Sequence, residues 1–224
     1  MNFENQLELG LGIYTPSEIG RILRMPTHKV RRWINRYWDG ELGKRYEARY
    51  SWKTNESRAV SFHTLIEFYV MMELSEQGVR TRPLLEGHKI LSDIFGSPFP
   101  FAMKEVLQNI RTDGKKIYFV VDKECILSLD GSGQLNLCFI DVFFKNLDFD
   151  TKNLALRYWP LGKNNSILID PERKFGHPVI GNRNITPETI YNHFKGGDPA
   201  PYIAYVYNLT EKEVYDALEY CEAA

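Results

Sequence analysis

The sequence predicts a mainly α-helical fold with small β elements, on the strength of three observations. Apolar residues recur at helical spacing in the N-terminal third, as at Val30, Trp33 and Ile34. Helix-start signals, each a Thr followed three residues later by a Glu, stand at residues 15–18 and 210–213. The β-prone runs are short, so we expect hairpins rather than one large sheet.

The composition is that of a globular protein with room for one large domain or two small ones. Hydrophobic residues make up 43% of the 224 residues and charged residues 25%, and no apolar run approaches the roughly 20 residues of a membrane-spanning helix. The first residues lack the basic-then-apolar pattern of a signal peptide. Three dispersed cysteines, Cys125, Cys138 and Cys221, form no metal-type pair. We therefore expect a cytoplasmic protein without disulfides, cofactor, metal or membrane contact.

Charge is distributed unevenly along the chain, although the net charge is only −1. Residues 15–58 contain eleven Lys and Arg against five Asp and Glu, a net +6. Residues 186–224 contain two against seven, a net −5. The basic segment is a candidate face for nucleic acid, and the acidic end is a candidate face for a basic partner.

Two short helices are predicted at the start of the basic segment. The first follows the cap at Thr15 and Pro16, and a break at residues 24–27 ends it. The second runs from about residue 27 to residue 38 and has a buried stripe of five apolar residues. Those residues are Val30, Trp33, Ile34, Tyr37 and Trp38.

A basic second helix after a tight turn is the arrangement of a helix-turn-helix, whose second helix can enter the major groove of DNA. An Arg side chain suits that role because its planar fork binds guanine or phosphate bidentately. The alternative is an ordinary helical hairpin with a solvated basic face, which the crowding of cations onto this one helix disfavours. The candidate DNA-contacting residues of the second helix are Thr27, His28, Lys29, Arg31, Arg32 and Arg36.

Residues 40–59 alternate aromatic and basic side chains, which predicts a β-hairpin wing beside the two helices. On that wing, Lys44, Arg45 and Arg49 are candidates for phosphate contacts. Ser61 then precedes a long helix that ends near Gly78, and a further helix is predicted over about residues 83–95.

This order of elements resembles the MerR family of winged helix-turn-helix regulators, over about residues 10–95. Residues 30–33 (VRRW) are similar to the family's start of the second helix, where a basic residue and a Trp recur. At the turn this chain has Arg24 and Met25, whereas the family usually has a Gly. A non-Gly residue can adopt positive φ there, at a cost in energy. With no predicted effector pocket or cysteine cluster, ligand sensing is not inferred from the resemblance.

The middle of the chain, residues 96–165, is predicted to be an α+β connecting or dimerising region. We expect helices at residues 98–110 and 134–147, paired strands at 117–121 and 125–129, and a strand at 154–160. A turn at 113–114 and a second one at 130–133 bound the paired strands. Tyr158 and Trp159 could stack on bases, but we favour a core or interface role.

Residues 170–190 organise the C-terminal part of the chain, residues 166–224. The run is rich in Gly, Pro and Asn, which predicts loop, yet Val179, Ile180 and Ile185 should pin it to a core. Three short helices follow, and the last of them is acidic, which would repel phosphates. We therefore expect a three-helix, homeodomain-like helix-turn-helix module that binds protein or dimerises rather than reading DNA.

This C-terminal part resembles the domain-of-unknown-function family DUF433. The residues that carry the resemblance are Asp170, Pro171, Gly176, Pro178, Val179, Gly181, Asn182, Arg183, Ile185, Asp198, Ile203, Ala204, Val214, Ala217 and Leu218. Family members usually have Gly-Thr-Arg-Ile where this chain has residues 181–185 (GNRNI). A MerR-like head followed by this module is similar to one group of VapB-type antitoxins. That resemblance implies a toxin of the PIN ribonuclease type and repression of the antitoxin's own operator, double-stranded DNA.

Two functions follow as hypotheses, an antitoxin that also represses its operon and a DNA-binding regulator whose tail only dimerises. In the first, Arg173 or Arg183 would sit on the toxin's acidic metal-binding cluster, and Tyr191 is a further toxin-contact candidate. We expect a homodimer and not an enzyme, because the sequence has no phosphate-cradling Gly loop and no nucleophile elbow. His177, alone in a turn, is expected to be structural.

Overall fold

Two separate hydrophobic cores organise the chain. The computed structural model describes residues 10–47, 49–54, 57–112, 115, 117–120, 126–128 and 140–223. One core collects buried side chains from Tyr14 to Ile169, and the other collects them from Ile167 to Tyr220. The head (10–95) and the middle region (96–165) therefore share a single core, whereas the C-terminal module has its own.

The two predicted N-terminal helices are present. Helix α1 spans Pro16–Ile22, and its capping box is formed, with the Glu18 carboxylate accepting from the Thr15 N–H at 2.7 Å. Helix α2 spans Thr27–Arg32 and continues without interruption as a π-helix, Trp33–Leu42, and a short helix α3, Gly43–Arg45. The predicted end at Trp38 is thus wrong, because buried Leu42 and Tyr46 extend the apolar stripe past Gly40.

The wing is shorter than predicted. Residues 40–45 are helical, and the hairpin consists of β1 (Ser51–Lys53) paired antiparallel with β2 (Arg58–Val60). Asp39, in the π-helical segment of the second helix, anchors the hairpin by accepting from the Ser51 N–H (3.0 Å), the Ser51 hydroxyl (2.5 Å) and the Arg58 guanidinium (2.7 Å). The side chain of Asp39 is only 6% exposed, so this link lies inside the head.

Two long helices, α4 (Phe62–Glu76) and α5 (Thr81–Phe95), follow the hairpin. Helix α4 is buried on every side, and even Glu67 is inaccessible to solvent. The Glu67 carboxylate lies 2.5 Å from His88 Nε2 and accepts from the Phe101 N–H at 2.8 Å. Helix α4 is therefore the centre around which α5 and the middle region pack.

The middle region contains short helices and small sheets. The helix predicted over residues 98–110 is split by extended Met103 into a 3-10 turn, Pro100–Ala102, and α6, Lys104–Asn109. The remaining elements are β3 (Ile110–Thr112), β4 (Ile117–Val120), β5 (Ile126–Ser128), α7 (Ile140–Asn146), β6 (Leu147–Phe149) and β7 (Ala155–Tyr158). Strands β3, β4 and β5 form one sheet in that order, and β6 pairs with β7. The predictions for residues 113–114, 121, 125, 129–133 and 134–139 lie outside the described residues. Tyr158 is 3% exposed, which confirms its core role.

The C-terminal module opens with a small hairpin and closes with three helices. Its elements are β8 (Ile167–Leu168), a 3-10 turn (Lys174–Gly176), β9 (Val179–Ile180), α8 (Pro187–Lys195), α9 (Ala200–Tyr207) and α10 (Glu211–Ala223). Val179 and Ile180 are fully buried, as predicted, and the Thr210 capping box is formed. No helix in the described part of the chain has the length and apolar content to cross a membrane.

Candidate functional site

The outer face of the second helix carries a stripe of polar side chains, which we call the basic stripe. Its members recur at steps of three and four residues, opposite the buried Val30, Trp33 and Ile34. All are exposed, and none makes a hydrogen bond or ion pair with a residue that the structure describes. The members are His28, Arg31, Arg32, Asn35 and Arg36.

The other two candidates on this helix are placed differently. Thr27 is the first residue of α2 and is only partly exposed. The Lys29 ammonium lies 5.2 Å from the centre of the Trp33 ring, and the Arg36 guanidinium lies 5.8 Å from that of Tyr37. Such contacts orient a cation without neutralising it. Lys29, beside the basic stripe, and Arg36, within it, are therefore held in place with their charge available.

The three phosphate-contact candidates that were predicted on the wing do not lie on the hairpin. Lys44 and Arg45 lie on α3, and Arg49 lies in the segment before β1. The Arg45 guanidinium forms an ion pair with the exposed Asp93 of α5. Arg45 is thus directed toward α5 and away from the hairpin, whereas Lys44 and Arg49 are exposed and have no described partner.

A groove of about 380 Å³ lies between the basic stripe and the hairpin. Arg31 and Asn35 line it from the helix, and Ser57 and Arg58 line it from the hairpin. Sequence reasoning missed Asn35 and Arg58. The spacing of 28, 31, 32, 35 and 36 could have found Asn35, but no local signal shows that Arg58 is paired with Asp39.

The turn between α1 and α2 contains a residue with positive φ, although this chain has no glycine at Arg24 and Met25. Arg24 adopts φ 53°, in the left-handed region that favours glycine. Gly20 makes the turn possible, since a Cβ there would lie 2.8 Å from the Met25 carbonyl oxygen. The Met25 N–H donates to the Gly20 carbonyl at 2.8 Å, which closes α1 against α2.

A second groove, of about 620 Å³, lies between the middle region and the C-terminal module and is rich in cations. Most of them are engaged: Arg157 pairs with Asp170 and Lys212 pairs with Asp216. A third cation, Lys163, pairs with Asp148 of the middle region. The groove is therefore less positive than its lining suggests.

The structure separates the three toxin-contact candidates. Arg173 donates to the carbonyls of Gly181 (2.8 Å) and Arg183 (2.5 Å) and to the Asn184 side chain (3.2 Å), so it holds the 170–190 loop together. Arg183 lines the same groove, and its guanidinium has no partner within the described residues. Tyr191 does not line that groove; it lies on α8 beside a different cavity.

Helix α9 leaves an aromatic face uncovered, which sequence reasoning also missed. Tyr205 is 84% exposed, and Tyr202 and Val206 are about half exposed. Tyr215 of α10 is 54% exposed. The signal was present, because α9 is apolar nearly all round and a helix of that kind needs cover on more than one side. Phe194 of α8 is 38% exposed.

Three of the five acidic residues of α10 lie on its exposed face, whereas Asp216 is buried and Glu213 is partly exposed. Glu211, Glu219 and Glu222 are all exposed, so the face of the module's last helix is negative and disfavours DNA phosphates. Among the residues described, no group of three His, Cys, Asp or Glu side chains could hold a metal ion.

The C-terminal module matches the model of a known protein family. Residues 167–221 match the family described as "Protein of unknown function (DUF433)". No curated protein matches the chain. The fold is similar to the X-ray crystal structure of Rv2018 from Mycobacterium tuberculosis, with a TM-score of 0.68 and 17% sequence identity, over 95% of this chain and 100% of that chain. That likeness shows a shared fold along nearly the whole chain.

Proposed function

We propose that this protein is the antitoxin of a type II toxin–antitoxin system, which binds operator DNA through its head and a PIN-type ribonuclease through its C-terminal module. The observation that carries the proposal is the basic stripe, in which Arg31, Arg32 and Arg36 lie exposed on one helix face without an ion-pair partner among the described residues. The resemblance of the layout to VapB-type antitoxins supports the toxin partner. In this function the protein performs no catalysis.

The basic stripe has the chemistry of a DNA-reading surface. Arg31 and Arg32 carry forked guanidinium groups that suit guanine edges or phosphates. Asn35, one turn further, suits an adenine edge. Because operator half-sites are commonly related by two-fold symmetry, we propose that the protein binds as a homodimer.

The DNA-binding proposal is tested by Arg31→Ala combined with Arg32→Ala. Both side chains are exposed and unpaired among the described residues, so the melting temperature should stay unchanged. Affinity for a fragment of the protein's own promoter should fall roughly a hundredfold, since each lost contact costs about 1–3 kcal/mol. Electrophoretic shift or fluorescence anisotropy at several salt concentrations measures it.

The matched control is Lys104→Ala with Lys152→Ala, which removes the same charge from the middle region. This control should bind DNA as the wild type does. If the two double variants bind equally well, or if the wild type shows no preference for its own promoter, the basic stripe is not the DNA interface.

On the toxin side, Arg183 is the stronger of the two arginine candidates. PIN-type nucleases hold metal ions with carboxylates, and an inserted guanidinium would neutralise that cluster. Arg183 is free to do so, whereas Arg173 would have to break its hydrogen bonds within the loop. Tyr191 lies apart from both and would require a larger contact area.

Co-purification with the product of the neighbouring gene, which we expect to be a PIN-type nuclease, tests the toxin partner. Arg183→Ala should weaken the complex at least tenfold without changing the melting temperature, since truncating one member of a buried interfacial charge pair costs about 2–5 kcal/mol. Arg80→Ala, an exposed arginine on the head, is the control. Equal toxin binding by both variants would remove Arg183 from the interface, and the absence of any complex with the wild type would remove the toxin.

The alternative is a DNA-binding regulator without a toxin, in which the module only dimerises. The uncovered face of Tyr202, Tyr205 and Val206 favours some protein contact and would serve a second copy as well as a toxin. Light scattering of the isolated protein tests whether this face forms the dimer, and the co-purification experiment separates the two functions. A dimer lost in Tyr205→Ser, together with no complex with the neighbouring gene product, supports this alternative.

A further inference from the structure

A cavity of about 220 Å³ lies where the head meets the C-terminal module. Glu18, Arg21 and Ile22 line it from α1, and α8 and α10 line it from the module. Gly176, His177 and Pro178 line it from the turn before β9. An apolar cavity of roughly 150 Å³ is enough to hold benzene in a protein interior, so this one has room for a single substituted ring.

Tyr14 gives the cavity a polar group that is not satisfied. Its side chain is 1% exposed, and its hydroxyl has no hydrogen-bond partner within the described residues. Two glycines make room for the ring, because a Cβ at Gly176 would lie 2.1 Å from the hydroxyl oxygen and one at Gly12 would lie 2.7 Å from the ring. A buried unpaired hydroxyl costs roughly 1–3 kcal/mol, which a ligand atom could recover.

Negative charge dominates the lining. Glu18 and Glu188 are its carboxylates, and the Glu188 carboxylate has no partner among the residues described. Arg21 is the arginine of the lining, and it is exposed to solvent. His177 Nε2 lies 3.8 Å from the Glu18 carboxylate, beyond hydrogen-bond distance.

The ionisable groups around the cavity respond to that charge. Burial and then the Glu188 and Glu222 carboxylates raise the pKa of the Cys221 thiol to about 12. Burial and then Glu188 raise the pKa of Tyr220, and burial, Asp170 and Glu18 raise that of Tyr14. Each of these groups is kept neutral, mainly because burial disfavours any charge and further because the nearby carboxylates disfavour a second anion.

We propose that this cavity is a binding site for a small organic cation, an ammonium group attached to one aromatic ring. The ammonium would lie between Glu188 and the Tyr14 hydroxyl oxygen, which accepts a hydrogen bond from it. The ring would pack among Ile22, Pro178 and the tyrosine rings. This site goes beyond the proposed antitoxin function and does not depend on it.

Benzylamine, which is protonated at neutral pH, is the probe, and benzyl alcohol and benzoate are its neutral and anionic counterparts. Calorimetry and thermal shift on the full chain should show benzylamine binding with a Kd on the order of 1 mM. Benzyl alcohol should bind more weakly, and benzoate should not bind. Equal binding of the three compounds, or no binding of benzylamine, would overturn the proposal.

Two variants test the assigned atoms. Glu188→Gln should raise the Kd of benzylamine roughly fivefold, whereas Glu211→Gln, an exposed carboxylate on α10, should leave it unchanged. Tyr14→Phe should raise the Kd roughly tenfold, yet raise the melting temperature of the free protein, because it removes the unpaired hydroxyl. A benzylamine Kd unchanged in both Glu188→Gln and Tyr14→Phe would show that the amine binds elsewhere.

Discussion

Arg24 holds a left-handed backbone conformation, φ 53°, in the turn between α1 and α2. For a residue with a Cβ this conformation costs roughly 1–2 kcal/mol. The turn keeps the conformation because both flanking helices are pinned, with Leu23 and Met25 buried on either side. The strain lies directly before the basic stripe, so it helps to define the angle at which that helix is presented.

Arg24→Gly should therefore stabilise the protein by about 0.5–1 kcal/mol, since glycine adopts this φ without the Cβ penalty but has more freedom to lose on folding. The free energy of unfolding in urea measures it. Arg24→Ala is the control, because alanine removes the side chain and keeps the strain. A gain in stability as large in the alanine variant would assign the effect to the lost charge and not to the backbone.

At the scale of elements, the second helix shows how far sequence reasoning reaches. The stripe from Val30 to Trp38 was readable because it repeats at helical spacing. The continuation to Arg45 was not, because Gly40 signals a break locally and only tertiary burial of Leu42 outweighs it. Likewise the loop at residues 170–190 was recognisable, but its Arg173 hydrogen bonds join residues whose pairing depends on the folded loop.

The hairpin's attachment to that helix gives a prediction at the same scale. Asp39→Asn removes the charge that binds Arg58 and faces the Ser51 hydroxyl, inside the head. We expect a loss of about 2 kcal/mol in the free energy of unfolding, because the buried amide that replaces the carboxylate accepts fewer hydrogen bonds and leaves one of its three donors unsatisfied. DNA affinity should fall as well, since Arg58 and Ser57 line the groove beside the basic stripe.

Asp93→Asn is the matched control for that variant. Asp93 pairs with Arg45 in an exposed position, where an ion pair contributes about 0–1 kcal/mol. Its stability should change little. If Asp93→Asn lowers the free energy of unfolding as much as Asp39→Asn does, the hydrogen bonds of Asp39 to the hairpin stabilise the head no more than an exposed ion pair does.

At the scale of the whole molecule, the bounds of the basic and acidic segments agree only in part with the bounds of the two hydrophobic cores. The charge segments were readable from the sequence, since they need only counting. The joining of the head and the middle region into one core was not, because it rests on α4 being buried on every side. A helix hidden in this way presents no polar face from which its neighbours could be deduced.

Because the chain has two cores, we predict that it unfolds in two steps. Substitution of one fully buried valine in each core tests this prediction. Val214 belongs to the module's core and Val70 to the larger one, and both are fully buried. Each change to Ala should cost about 2 kcal/mol.

The four Trp residues all precede residue 166, so tryptophan fluorescence reports the larger core, whereas hydrogen exchange over residues 187–221 reports the module. Val214→Ala should speed exchange in the module and leave the fluorescence midpoint nearly unchanged, and Val70→Ala should lower that midpoint. If both variants move both probes together, the chain unfolds as one cooperative unit and contacts across the junction, such as the Ile13 N–H to Phe175 carbonyl hydrogen bond, couple the cores.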